Sequence, residues 1–386
     1  MIVKILITTD WYEPVVNGVV TSVLNLVREL RKKGHQVRIL TLSDDTHSKY
    51  HDQVYYIGSI NAGTIYPDAR ATMYVGRDYI NDIVRWHPDI IHSQCEFSSF
   101  QYAKRISRRL NIPIIHTYHT LYESYTHYFF PNKKMGKHIV SKLSHHFLSQ
   151  VQCVIAPSEK IRRVLDNYRI LKRICVVPTG IELDKFDTTL SKAERAVLKS
   201  DLGIPPENKI LLTLGRLAKE KNVEQLIDYV KLMDRADISF VVVGGGPYKK
   251  VLTDYAEKCG LRDKIFFTGM IVPQLVPKYY LLADVFLCAS TSEAQGLTYM
   301  EALASGLPSV CHKDLCIKNI IIDGYNGYQY TDFISFESAV NKILDDPSLR
   351  TQMAHNAREI VEREFSIQAF ADKMEAIYMS EIERYR

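Results

Sequence analysis

Thr291-Ser-Glu-Ala-Gln-Gly-Leu-Thr-Tyr-Met-Glu-Ala-Leu-Ala-Ser-Gly306 is the stretch on which the reading of this 386-residue chain turns. A β-branched, apolar run from Val285 to Ser290 leads into it, and an Ala-, Leu- and Met-rich run follows, so the order is strand, tight loop, helix. The amides of Gly296, Leu297 and Thr298 fall in the first helical turn, where N–H groups have no intrahelical acceptor and can bind a phosphate. Gly296 lets a ligand approach the backbone closely. Glu293 closes the strand's carboxyl end, and Glu301, eight residues on, lies about one and a half turns into the helix. One carboxylate is placed for a sugar hydroxyl and the other for a ribose hydroxyl, with a diphosphate between them. Taken alone, the spacing fits equally an ordinary helix start carrying two solvated glutamates.

Outward from this stretch, strands and helices alternate as in a parallel, doubly wound sheet, and they do so twice. In the first half, strands are expected at Val3–Thr9, Gln36–Leu42, Asp89–His92, Pro113–His119 and Cys153–Pro157. In the second they are expected at Ile210–Gly215, Ser239–Gly244, Ile265–Gly269, Val285–Ser290 and Ser309–His312. Val19, Val23, Leu24, Val27 and Leu30 recur at helical spacing, and Gly34 stands at the expected helix stop. Between the halves, Val176-Val-Pro-Thr-Gly-Ile-Glu-Leu-Asp184 and a polar stretch to about Asn208 read as a boundary whose charged helix packs little. The expected division is 1–180 and 181–365, which the length supports.

Hydrophobic content of 46% and charged content of 24% are ordinary globular values. Seven cysteines, an odd number without a CxxC pair, fit a reducing, cytoplasmic compartment. Cys311 and Cys316 have no neighbouring Cys or His pair at zinc-like spacing and read as incidental. The N-terminal run is expected to be a buried strand rather than a secretory signal, and no run of about 18 apolar residues is present to span a membrane. Residues 1–180 hold 24 Lys and Arg against 14 Asp and Glu, and the remainder 25 against 30. The first half is therefore basic and the second acidic, but no helix-turn-helix, zinc-finger or RNP pattern directs the basic half to nucleic acid.

A second motif follows the first strand of the second half: Leu214-Gly-Arg216-Leu-Ala-Lys-Glu-Lys221-Asn222. Ligands bind at the carboxyl edge of a parallel sheet, and there Arg216 offers a planar fork and Lys221 a movable point charge, both suited to a diphosphate. With Glu293 and Glu301, these residues make the chain resemble glycosyltransferase family 4, retaining enzymes built from two Rossmann-like domains and marked by E-x7-E. Gln295, where most relatives carry an aromatic, resembles the branch that glycosylates diacylglycerol lipids.

The resemblance implies an α/β fold of the GT-B type, two Rossmann-like domains facing across a cleft, and a closing helix at about 366–386 that crosses back to the first domain. It implies that Arg216 and Lys221 hold the donor's phosphates, Glu293 the sugar hydroxyls and Glu301 the ribose. Thr268-Gly-Met-Ile-Val272 resembles the segment that receives the base, pointing to Met270 and Val272, and Gly244-Gly-Gly-Pro247 is expected to pack a turn. Gly18 stands where relatives have a glycine pair facing the phosphate; the other member here is Asn17, which tolerates left-handed backbone. Ile115-His-Thr-Tyr-His119 aligns with the active-site histidine of relatives, which makes His119 a ligand to the donor sugar and leaves His116 structural. Glu96 lies in the segment resembling the acceptor-side loop.

Phe129, Phe130, Lys133, Lys134, Lys137 and Lys142 form a stretch without acidic neighbours in sequence, and Ile139, Leu143 and Phe147 recur at helical spacing within it. An apolar face bordered by cations is what a helix on an anionic membrane needs; the alternative is a helix whose apolar face is domain core, and both hold if the core lies inward and the basic loop outward. No two aspartates are separated by one residue, so the DxD metal motif of the other large transferase fold is missing. No metal and no cofactor are expected; Arg216, Lys221 and the helix start at Gly296 are left to meet the charge of the departing diphosphate. The resemblance implies UDP-glucose or UDP-galactose as donor, diacylglycerol or monoglycosyldiacylglycerol as acceptor, and peripheral attachment to the inner face of the cell membrane. A transferase of the same fold with a soluble or wall-polymer acceptor, and a nucleotide-sugar epimerase, are the alternatives.

Overall fold

Short apolar runs alternating with amphipathic helices give two separate β-sheets, each covered by helices. The computed structural model describes residues 1–15, 17–62, 70–72, 77–123 and 132–385. Its chain divides into two compact units, Met1–Gly180 with Ile367–Arg386, and Ile181–Ser366.

The first unit contains β1 (Lys4–Thr8), β2 (Gln36–Leu42), β3 (Lys49–His51), β4 (Val54–Ile57), β5 (Ile60–Asn61) and β6 (Arg70–Ala71). It continues with β7 (Ile90–Ser93), β8 (Ile114–Thr117), β9 (Cys153–Ala156) and β10 (Arg173–Val176). Eight of these form one sheet in the order β10-β9-β8-β7-β1-β2-β4-β3, parallel except for the antiparallel β3–β4 pair, and β5 pairs with β6 separately. Its helices are α1 (Gly18–Lys32), α2 (Arg77–Trp86), α3 (Ser98–Leu110), α4 (Lys133–Leu148) and α5 (Glu159–Asn167).

The second unit holds β11 (Lys209–Leu214), β12 (Ile238–Val243), β13 (Ile265–Gly269), β14 (Val285–Cys288), β15 (Ser309–His312) and β16 (Gly327–Tyr330). Its sheet runs β13-β12-β11-β14-β15-β16, parallel throughout. The helices are α6 (Lys192–Asp201), α7 (Val223–Met233), α8 (Lys249–Lys258), α9 (Val276–Leu282), α10 (Leu297–Ala304), α11 (Phe333–Asp345) and α12 (Pro347–Glu364). A last helix, α13 (Ile367–Tyr385), belongs to the first unit.

Both sheets are buried on both faces, as parallel sheets require. Successive residues of a strand point to opposite sides, so Ile210 and Leu212 of β11 enter one core and Leu211 the other. In the first unit, Ile5 and Ile7 share a core with Val23, Leu26 and Leu30 of α1 and with Phe370, Met374 and Tyr378 of α13. The expected helix stop is realised: Gly34 adopts φ +87°, and Lys33 caps α1.

Several features differ from the sequence reading. Val176, assigned there to the boundary, ends the edge strand β10, paired in parallel with β9. Strands β3, β4, β5, β6 and β16 are further additions; β16 reads Gly-Tyr-Gln-Tyr, too short and polar to announce itself. Helix α6 does pack: Leu198 and Leu202 lie against the core, and buried Lys199 places its ammonium 2.6 Å from the Pro206 carbonyl and 2.7 Å from that of Asn208.

Candidate active site

The second unit gathers its chemistry at the carboxyl ends of β11, β12 and β14. After β11 the chain turns through Gly215 to Lys221. Glycines on the β12 side hold this loop: a Cβ on Gly244 would strike the Gly215 carbonyl oxygen, and one on Gly246 the Leu217 carbonyl oxygen. Leu217 N–H in turn donates to the Gly245 carbonyl at 2.8 Å. Close packing is thus the work of Gly244-Gly-Gly246.

The Arg216–Lys221 loop and the loop before α10 are tied together by Ser292, whose hydroxyl donates to the Glu220 carbonyl at 3.2 Å. Lys221 Nζ forms an ion pair with Glu293 Oε1, joining residues 72 apart in sequence. Arg216 Nη2 meets Glu220 Oε1 at 2.5 Å. Glu220's side chain is 6% exposed and Arg216's 51%, so a half-exposed guanidinium is anchored through Nη2 at a buried carboxylate. Glu220 was not singled out in the sequence, where a Glu between two lysines reads as a solvated charge.

Gly296 caps α10 with φ +74°, a conformation natural to glycine. A Cβ here would lie 2.6 Å from Tyr299 Cδ2 and 3.3 Å from Glu293 Cγ. The first-turn amides of Leu297 and Thr298 follow, which an α-helix leaves without an intrahelical acceptor. Gln295 is buried, its Nε2 3.5 Å from Met300 Sδ and its carbonyl accepting from the Cys316 thiol at 2.9 Å. Cys316 therefore braces the loop and is not incidental. Glu301, the fifth residue of α10, accepts from the Tyr280 hydroxyl at 2.9 Å. Burial pushes its carboxyl above the usual range, and the Tyr280 hydrogen bond pulls it back. Beyond β13, Met270 is 85% exposed, and Val272 is exposed as well.

In the first unit, polar side chains cluster where β1, β7 and β8 end. His119 Nε2 lies 2.7 Å from Gln94 Oε1, and burial pushes this imidazole down to about 4, so it is neutral at physiological pH. Glu96 accepts from the Tyr122 hydroxyl at 2.7 Å, and its other oxygen lies 3.2 Å from His116 Nε2. Although burial opposes it, the His116 contact leads the interactions that hold Glu96 below the ordinary carboxyl range. Asp10 accepts the Ser99 N–H at 2.8 Å, and burial raises its carboxyl to about 7. His92 links Thr117 (2.7 Å) to Tyr378 of α13 (2.8 Å). Gly18 is the first residue of α1. Asn17, expected to support a left-handed turn, is extended (φ −155°) and caps the helix, its Oδ1 accepting Val20 N–H at 2.9 Å.

On α4, Lys134, Lys137 and Lys142 are exposed, but Lys137 pairs with Glu123 at 3.2 Å, a partner fourteen residues away that helical spacing did not reveal. Of the apolar residues at helical spacing, Leu143 is 51% exposed, while Phe147 packs edge-on against Phe100 of α3 at 6.1 Å. Phe129, Phe130 and the side chain of Lys133 lie outside the described residues.

The sequence profile described as "Glycosyltransferase Family 4" matches residues 16–185, and that described as "Glycosyl transferases group 1" matches residues 194–360. An alpha-monoglucosyldiacylglycerol synthase of Streptococcus pneumoniae is 41% identical over 327 residues, covering 83% of this chain and 74% of the relative. A protein of the same description from Acholeplasma laidlawii is 29% identical over 393 residues, covering 99% of this chain and 98% of the relative. Among solved structures, Anabaena HepE in complex with UDP-glucose superposes with a TM-score of 0.73 at 17% identity, covering 98% of this chain and all of that one. A glycosyltransferase from Rickettsia africae gives 0.75 at 17%, covering 99% of each. Two Rossmann-like units of the GT-B type, a basic loop and an acidic loop joined at one sheet edge, and profile matches across both units agree: the chain belongs to glycosyltransferase family 4 and is a glycosyltransferase.

Proposed function

We propose that the protein transfers a hexose, glucose or galactose, from a UDP-sugar to diacylglycerol or monoglycosyldiacylglycerol, forming an α-glycolipid. The observation that carries the donor half is the meeting of Lys221 and Glu293 beside the start of α10, a cation and a carboxylate at one sheet edge. The acceptor half rests on likeness to relatives described as glycolipid synthases.

In this reading Arg216, Lys221 and the first-turn amides of α10 take up the charge of the leaving diphosphate, so departure needs no metal. Glu293 accepts from sugar hydroxyls, Glu301 from the ribose, and Met270 and Val272 border the base. Neutral His119 is a ligand to the donor sugar. The bond from the anomeric carbon to the phosphate oxygen breaks, and its electron pair leaves with UDP. The acceptor hydroxyl bonds to that carbon from the same face, its proton passes to the departing phosphate, and configuration is retained.

The lipid would be met at the inner face of the membrane, by α4 with its exposed Lys134, Lys142 and Leu143. Helix α3 adds to this support: Lys104, Arg105, Arg108 and Arg109 form no ion pair among the described residues. Cations elsewhere in the unit do, as in Lys32–Glu29, Arg85–Asp82 and Arg162–Glu159. Such unneutralised rows suit lipid phosphates. None of the described helices is long and apolar enough to cross a membrane.

The test crosses radiolabelled UDP-glucose and UDP-galactose with diacylglycerol and monoglucosyldiacylglycerol in mixed micelles, with and without anionic lipid, in EDTA. Label in the lipid phase is expected, and the productive pair names donor and acceptor. No label with any pair would overturn the lipid reading.

A further inference from the structure

The donor-site carboxylate and cation already hold one another. Lys221 Nζ rests on Glu293 Oε1, and both side chains are largely buried, 27% and 17% exposed. The loops that carry them are fixed independently of this pair, by Ser292 on the Glu220 carbonyl and by the Cys316 thiol on the Gln295 carbonyl. A ligand offering only phosphates must draw Lys221 away and leave a largely buried carboxylate without that cation, which is costly. A ligand offering phosphates and sugar hydroxyls together provides a new partner for each.

We propose that Glu293 is an exchangeable counter-ion. The donor's sugar replaces Lys221 at its carboxylate, and once that sugar has been transferred Glu293 competes with the nucleoside diphosphate for Lys221 and so favours its release. Arg216 behaves differently, because Glu220 engages only Nη2 and leaves the other guanidinium nitrogens for phosphate. The exchange gives Glu293 two opposed effects: it strengthens binding of the intact donor and weakens binding of the product.

This inference rests on the donor-site reading above, and the test separates the two. Affinities of the full chain for UDP and for UDP-glucose are measured by calorimetry for wild type, Glu293→Gln, Lys221→Met and the double variant. Glu293→Gln keeps the shape and removes the competing charge. UDP is expected to bind it about tenfold more tightly, the equivalent of one partly buried ion pair, while UDP-glucose binds less tightly. Lys221→Met is expected to weaken UDP binding, and in its background Glu293→Gln should no longer tighten it. Glu293→Asp, whose shorter carboxylate withdraws from Lys221, should shift UDP affinity the same way by less, and serves if the Gln variant folds poorly. UDP affinity unchanged or weakened in both Glu293 variants, with Lys221→Met still weakening it, overturns the exchange and leaves the donor site standing. UDP affinity untouched by Lys221→Met overturns the donor site, and the exchange with it.

Discussion

Asp10 offers a test of the first unit that runs through pH. It follows β1, accepts the Ser99 N–H at the start of α3 through Oδ1, and buries Oδ2 without a hydrogen-bond partner. Burial raises its carboxyl from 3.8 to about 7, with the charge of Glu96 adding in the same direction. A carboxyl raised in the folded state binds its proton more tightly there than in the unfolded chain. Stability is therefore lost as pH rises from about 4 to about 7 and is level beyond. At about 1.4 kcal/mol per tenfold, the loss amounts to about 4 kcal/mol, of which about 2.5 falls between pH 5 and pH 8. Asp10→Asn keeps an acceptor for Ser99 and cannot ionise, so its advantage over wild type should grow by that amount across the interval. Both tryptophans, Trp11 and Trp86, lie in the first unit, so urea unfolding followed by tryptophan fluorescence reports that unit alone. His92 and His119, both depressed by burial, contribute the opposite slope below pH 6.5, but they do so in both proteins and cancel in the difference. A wild-type-to-variant difference constant within about 0.5 kcal/mol from pH 5 to 8 would refute the assignment of a buried, protonated Asp10.

Gly296→Ala combines a positive φ with a Cβ pressed onto the Tyr299 ring, and should cost about 2–4 kcal/mol in the second unit and weaken UDP binding; thermal unfolding with and without UDP reads both. Gly244→Ala drives a Cβ into the Gly215 carbonyl oxygen and should cost about 3 kcal/mol or more, measured by denaturant unfolding of that unit. Tyr280→Phe removes the hydroxyl whose hydrogen bond partly offsets the rise that burial imposes on the Glu301 carboxyl. The pH below which the KM for the nucleotide-sugar rises should therefore move upward, with little change in kcat at high pH.

The parallel strands were legible because burial on both faces demands continuous β-branched and apolar runs, as in Ile238–Val243. Two of the edge strands, β10 and β16, escaped notice for the complementary reason: they bury only part of their side chains, so no apolar run marks them. At the candidate site, Arg216, Lys221, Glu293 and Glu301 could be picked out by residue type and spacing, and the structure brings Lys221 onto Glu293. What supports them could not. Tyr280 and Cys316 act through contacts spanning 21 residues, set by tertiary packing rather than by any local period, and Glu220, four residues from Arg216, owes its role to a burial that its charged neighbours do not announce. Asn17 misled in a smaller way, since the same side chain serves a left-handed turn or a helix cap, and only the backbone decides between them.

The placement of α13 bears on the order in which the molecule forms during synthesis. Phe370, Met374 and Tyr378 complete a core begun by Ile5 and Ile7, and Glu375 holds Lys33 at 2.7 Å and His35 at 3.0 Å. Between these two sets of residues the ribosome must make the whole of Ile181–Ser366, a unit with a sheet and cores of its own. The unit begun first is therefore finished second: its α13-facing surface stays uncovered until Ile367–Tyr385 has emerged, by which time the later unit has all its strands. During that interval the nascent chain presents an apolar surface to whatever binds such surfaces, and a stop codon just before Ile367 would injure the part of the protein farthest from it in sequence.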